Sequence, residues 1–488
     1  MDIPDLVFNG IDATTGEYAH PKISREELSR IAMGLPPDPR QVAEARAWRE
    51  KILAKDLGTR EGIDPRDLAT AGWGVIFARD ADPAVREALG ELLEHRREQA
   101  ARIEEIHYRE FSGDAGYQPG ESKLAFLARH GAGPGPADPQ RVPYYLLLVG
   151  SPEEIPYHFQ TQLDIQYAVG RLTFATPEEY ARYARGVVEA ETRATARGRA
   201  VFFGVKNPGD RTTQLTSEYL IKRVAAFLSE DQPAWSVDTV LETDATKARL
   251  ASLLGGDDTP DLLFTATHGM KFPHGDARQP THQGALLCQD WPGRGSWKGP
   301  IPEDHYFAAG DLGSDVRAGG LITFHYACHG AGTPRLDAYA QLLEGARREL
   351  APRPFVAALP QRLLGHPQGS ALAVVGHVER SWGYSFLWKG AGGQSQVFED
   401  SLKRLLEGHP LGSALEPFGL RYAELAAELA AELEQVEFGT PAADAELIPR
   451  LWTATKDARN YVILGDPAVR LPGVEASDSH ERAAHELT

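Results

Sequence analysis

A chain of 488 residues with 42% hydrophobic and 25% charged side chains has the composition of a folded protein, long enough for two or three domains or one large one. Its net charge of −18 argues against nucleic acid or an anionic membrane as the main partner. No apolar run approaches the roughly 18 residues that span a bilayer. With two cysteines, Cys288 and Cys328, and an acidic start that lacks the layout of a signal peptide, a reducing, cytoplasmic setting is the expectation.

Residues 1–140 read as mostly helical, with starts near Ser24 and Asp38. Asp82-Pro83 opens a long charged helix expected to reach about Arg109, with Asp82 as N-cap and Pro83 at the first helical position. A short strand, Gly74 to Phe77, precedes it, and the glycine- and proline-rich stretch 131–139 is a loop. Residues 141–197 form a first α/β unit: a run apolar on both faces at 144–150, a second strand at 167–172, and a charged helix from Pro177 to about Thr195.

Residues 198–473 continue the alternation. Strands are expected at 200–205, 237–241 and 261–267, with helices near 217–228 and 246–254 between them. A long loop at 270–319 contains one strand-like piece, 284–288. The run 320–328 is a buried strand that ends in Cys328, and Gly330, Gly332 and Pro334 then break it. A helix at about 337–350, a strand at 370–376, helices near 396–407 and 416–437, and a last strand at 461–467 complete the pattern; the polar tail 474–488 is expected to be disordered. The fold class is α/β, with a mostly parallel sheet covered by helices on both faces.

Two strands carry chemistry to their ends. One finishes at His268-Gly269 and the other at Cys328, and open α/β sheets present reactive groups at the carboxyl edge. A thiol becomes a useful nucleophile when an imidazole takes its proton, which makes Cys328 the candidate nucleophile and His268 the candidate base. Acyl transfer also needs donors for the developing oxyanion, and the backbone N–H groups of Gly269 and Cys328 are the candidates. The alternative is an ordinary buried cysteine and a strand-end histidine with a local hydrogen bond.

No metal and no cofactor is expected. An offset of three puts His325 and Cys328 on opposite faces of a strand, and Cys-x-x-Cys is absent. Neither a phosphate loop nor a dinucleotide fingerprint is present. His329 reads as a loop residue and Cys288 as core.

At this point the residues resemble the caspase-like cysteine peptidases, most nearly the gingipain-like branch. The landmarks are the segments at 146–150 and 167–172, Thr-His-Gly at 267–269, Ala-Cys-His-Gly at 327–330, the segment 376–384 and the closing 464–471. They cover about two thirds of the chain. The resemblance implies a catalytic domain over 198–473 and an N-terminal α/β subdomain made of 1–140 with 141–197. It implies His268 as general base, Cys328 as nucleophile and an acyl-enzyme intermediate. It also implies Trp382 as a wall of the primary specificity pocket, with Tyr326 at another wall position. Asp210 stands at a plausible place for an acid that orients the histidine, and Glu218 for an acidic pocket floor; neither belongs to a matched motif.

The function expected is therefore an endopeptidase acting on a protein or peptide substrate, with an activating protein partner or cleavage in the 270–319 loop as a means of control. A catalytically inactive scaffold that binds a partner through the same cleft, and a thiol hydrolase for a small molecule, are the alternatives.

Overall fold

The computed structural model describes residues 59–60, 62–193, 198–293, 295–338, 349–437 and 446–473. The chain divides into two compact units, 1–56 with 430–445 and 57–429 with 446–488. Everything below concerns the second. The expected helices near Ser24 and Asp38, most of the expected helix at 337–350 and the tail 474–488 lie outside the described residues.

Ten strands form one sheet: β1 (Trp73–Phe77), β2 (Tyr108–Phe111), β3 (Tyr145–Val149), β4 (Ala168–Leu172), β5 (Arg199–Gly204), β6 (Ser236–Leu241), β7 (Leu262–Ala266), β8 (Ile322–Tyr326), β9 (Ala373–His377) and β10 (Tyr461–Gly465). Their order is β2-β1-β3-β4-β10-β9-β8-β7-β5-β6. All neighbours are parallel except β9 and β10. The sheet is thus two five-stranded parallel halves running in opposite directions, and the closing strand β10 runs with β1 to β4. Every residue of β1, β3, β4, β7, β8, β9 and β10 is buried. Side chains alternate across a sheet, so both faces are covered, as helix-flanked parallel strands require.

The helices used below are α1 (Pro83–Ala88), α2 (Gly90–Ala100), α3 (Pro177–Arg193), α4 (Arg211–Thr216), α5 (Lys222–Asp231), α6 (Gln396–Leu406), α7 (Glu416–Glu437) and α8 (Leu447–Arg459). Asp82 caps α1 by accepting the Ala84 N–H, with Pro83 at the first position. The single helix expected from Pro83 to about Arg109 breaks at Leu89 and ends at Ala100. Residues 108–111 form β2 instead, because Tyr108 and Phe111 bury against the sheet while Arg109 and Glu110 remain partly exposed. Residues 1–140 are therefore not mostly helical where they are described: two strands of the main sheet come from them.

At the edge where β9 begins, a buried ion network ties α2 and α3 to β1 and to the turn after β10. Arg96 on α2 donates to Asp466 (2.6 Å) and to Glu191 on α3 (2.6 and 2.7 Å), and the Trp73 indole also donates to Asp466 (2.9 Å). Asp466 is structural. Among the described residues no helix is long and apolar enough to cross a membrane.

The region 270–319, expected to be a loop, is a small folded lobe. Phe272, Ala285, Leu287, Trp291, Tyr306 and Ala308 form a core of their own, and residues 286–287 pair antiparallel with 306–307. Its glycines and prolines shape tight turns between enough apolar residues to collapse locally.

Candidate active site

β7 and β8 are neighbours, and Ala266 pairs with Tyr326. His268 and Cys328 each stand two residues past that pair, at the carboxyl edge of the second half. The approach is close: a Cβ on Gly269 would come within 1.7 Å of the Cys328 carbonyl oxygen. Only glycine allows these two main chains to meet. The folded lobe holds this segment from outside, since Leu287 N–H donates to the His268 carbonyl (2.9 Å) and Met270 N–H to that of Ala285 (2.8 Å).

Asp210 reaches the same edge from the turn after β5. It is the N-cap of α4, with Oδ1 accepting the N–H groups of Thr212 (2.9 Å) and Thr213 (3.4 Å). Its second oxygen, Oδ2, pairs with His268 Nε2. Asn207 stiffens the turn by donating to the carbonyls of Cys288 (3.2 Å) and Trp291 (3.1 Å) in the lobe. Burial alone would raise the Asp210 pKa, but the hydrogen bond and charge of His268, with the two amides, hold it below the usual carboxylate range. The His268 side chain is 34% exposed, so the imidazole opens to solvent, and Nδ1 is the nitrogen that Asp210 leaves available.

The Cys328 thiol is partly exposed. Its Sγ donates to the Ser381 carbonyl (3.8 Å) and lies 3.6 Å from Ser381 Oγ. Among the described residues no hydrogen bond joins it to His268. The backbone N–H groups of Gly269 and Cys328 also meet no acceptor there, whereas those of Thr267, Met270, Ala327, His329 and Gly330 around them all do. Two amides without acceptors beside a thiol can receive an anionic oxygen.

The loops after β8 and β9 lock together. His329 and Glu379 both adopt left-handed backbone, at φ 58° and 80°, and His329 N–H donates to the Glu379 carbonyl (2.6 Å). Such conformations are costly for non-glycine residues and cluster at functional sites. Arg380 braces the second loop with bonds to Asp337 (2.6 and 2.8 Å) and Glu379 (2.7 Å). Trp382 follows, a large apolar residue 36% exposed. Core packing, the plain alternative for this residue, does not describe it. Tyr326 is buried beneath: its ring packs edge-on to Phe386 and its hydroxyl donates to the Trp382 carbonyl (2.8 Å). Burial pushes that phenol well above its ordinary pKa, so it stays a donor. Tyr326 supports Trp382 from below.

Glu218 stands on the outside of the helical segment that follows α4, 64% exposed and paired with Lys222 (3.3 Å). His325 and His329, four residues apart, sit on a strand and on a turn, and each gives Nδ1 to a threonine, Thr265 (2.8 Å) and Thr333 (3.1 Å). Burial lowers both to a pKa of about 3, so both are neutral at ordinary pH. Among the described residues no group of three or more His, Cys, Asp or Glu could hold a metal ion. Cys288 is buried, and burial pushes its thiol well up. Sequence reasoning missed Ser381 and, beneath Trp382, Asp457; neither carries a local signal, because each meets the site only through the fold.

No family model and no curated protein sequence matches this chain. Solved structures do. The Arg-specific cysteine proteinase gingipain R is 12% identical with a TM-score of 0.48, over 85% of this chain and 80% of that one. The complex of the pro- and mature domains of the Porphyromonas gingivalis enzyme is 13% identical with a TM-score of 0.45, over 82% and 80%. A third, described as a protease, is 14% identical with a TM-score of 0.43, over 83% and 80%.

Proposed function

We propose that this chain is a cysteine endopeptidase that hydrolyses peptide bonds in protein substrates. Cys328 Sγ attacks the scissile carbonyl carbon as His268 Nδ1 takes the thiol proton. The carbonyl oxygen becomes an oxyanion and accepts the Gly269 and Cys328 N–H groups. Collapse breaks the C–N bond, His268 returns the proton to the departing amine, and a thioester remains. Water, deprotonated by His268, then attacks the thioester and releases the acid and the free thiol. Asp210 holds the ring through Nε2, so that Nδ1 is the basic nitrogen and the imidazolium meets a counter-charge. Trp382 walls the cleft for the residue before the scissile bond.

The observation that carries this reading is the anchored imidazole. A buried carboxylate with one oxygen fixed by a helix cap turns its other oxygen to a half-open histidine, at the edge where the thiol emerges. Both cysteines are free thiols, which suits a reducing compartment, and we infer the cytoplasm.

The test is cleavage of a fluorogenic peptide library by the whole chain and by Cys328→Ala and His268→Ala. Cleavage by the wild type and loss in both variants is expected, and unaltered cleavage by Cys328→Ala overturns the proposal. Iodoacetamide at neutral pH should modify Cys328 and leave Cys288 intact, read by peptide mass. An inert Cys328 would favour a binding scaffold.

A further inference from the structure

β10 is antiparallel to β9, so the helix that leads into it, α8, ends at the edge where β7, β8 and β9 end. That topology carries Asp457, in the last turn of α8, beneath the loop at 378–388. The residue is fully buried. Its Oδ1 accepts the backbone N–H of Trp382 (2.8 Å), and its Oδ2 accepts the Ser385 hydroxyl (2.5 Å), which also meets Tyr461 Oη (2.7 Å). His377 Nε2 lies 3.3 Å from Oδ1 and 2.9 Å from the Asp457 carbonyl. The Trp382 carbonyl accepts the buried Tyr326 hydroxyl (2.8 Å). Both main-chain polar groups of Trp382 are thus held by buried side chains, while the residue as a whole is 36% exposed and its neighbour Ser381 meets the thiol.

The placement of this carboxylate is unfavourable twice over. Burying a charge is costly unless hydrogen bonds compensate it. A negative charge in the last turn of a helix also opposes the helix dipole. An apolar side chain would fill the space without either penalty, but it would leave the Trp382 N–H unpaired and the loop free to turn.

We propose that Asp457 is a positioning residue for substrate binding: from behind the sheet it fixes the Trp382 indole as a rigid wall beside Cys328. The inference rests on the peptidase reading, because the wall matters to catalysis only if a peptide lies against it. Peptide binding draws on a wall already in place, and loosening it reduces ground-state and transition-state binding alike.

The experiment uses Asp457→Asn, which keeps the volume and removes the charge. The whole chain is labelled with 5-fluorotryptophan, and the Trp382 fluorine resonance is assigned by its loss in Trp382→Phe. In Asp457→Asn the Trp382 line should shift or broaden while the other indole lines stay. KM for the best library peptide should rise about tenfold with kcat within about twofold, the pattern of lost uniform binding. An unmoved Trp382 line in a folded Asp457→Asn protein overturns the proposal, as does a fall in kcat at constant KM. Should that variant not fold, Ser385→Ala leaves Oδ2 without its donor and turns the carboxylate; it must move the same line, and an unmoved line is again fatal. A wild type that cleaves no peptide overturns the peptidase reading instead, and the resonance alone then decides whether Asp457 positions Trp382.

Discussion

Replacing Asp210 by Asn separates the two tasks of this side chain. Thr212 and Thr213 N–H need an acceptor on Oδ1, so the cap dictates which way the new amide points: its carbonyl faces the helix and its NH2 faces His268. Asn caps helices about as well as Asp, so stability at neutral pH should change little through the cap. The imidazole fares worse. Nε2 must now accept, and the ring carries its proton on Nδ1, the nitrogen that has to receive the thiol proton. Losing a charge-assisted hydrogen bond of about 1.5–3 kcal/mol corresponds to roughly a 10- to 150-fold drop in kcat/KM. The wrong tautomer pushes the loss toward the roughly 10⁴-fold known for a serine triad, and the partial exposure of His268 holds it nearer the lower range. The assay is kcat/KM against pH, with thermal melting alongside. The Asp210 pKa is depressed in the folded chain, so its stabilising contribution is complete above about pH 4, where the unfolded side chain titrates. It is lost as pH falls through the lower folded value, and Asp210→Asn should remove that part of the acid-side destabilisation. Activity within threefold of wild type across the whole pH range would refute the argument.

Two further outcomes test the framework around the site. Gly269→Ala brings a methyl group to within 1.7 Å of the Cys328 carbonyl oxygen and should destabilise by about 1–3 kcal/mol as an overpacked contact. It should also depress kcat/KM by displacing an oxyanion donor; unchanged urea melts and rates would show that the strands do not approach so closely. Arg96→Met leaves the fully buried Asp466 without its cation and should cost about 3–5 kcal/mol in urea denaturation. Because that network lies at the edge remote from Cys328, the alkylation rate of the folded variant should match wild type.

Most inner strands are legible as short apolar runs, and the glycine turns that follow two of them mark His268-Gly269 and Cys328 as strand ends. The edge strand β2 is not. Its four residues, Tyr-Arg-Glu-Phe, carry no period-two pattern and follow a charged helix, and pairing with β1 decides its state. The lobe at 270–319 looked like a loop because turn residues outnumber its periodic ones. Asp210 belongs to no motif, since its link to His268 crosses 58 residues of chain. Glu218 likewise belongs to no motif, and it pairs with Lys222 one helical turn further on.

What the sequence determined by itself is local: which runs bury both faces, where they stop, and that one thiol and one imidazole stand at two such stops. Those properties follow from side-chain polarity and backbone freedom within a few residues. The tertiary structure decided everything that depends on strand order and direction. It made β7 and β8 neighbours, turned β10 against β9, and so brought Ser381 to the thiol from 53 residues away and Asp457 to Trp382 from 75. Hydrogen bonds across such separations leave no periodic trace, because the chain between the partners is free to be anything that folds.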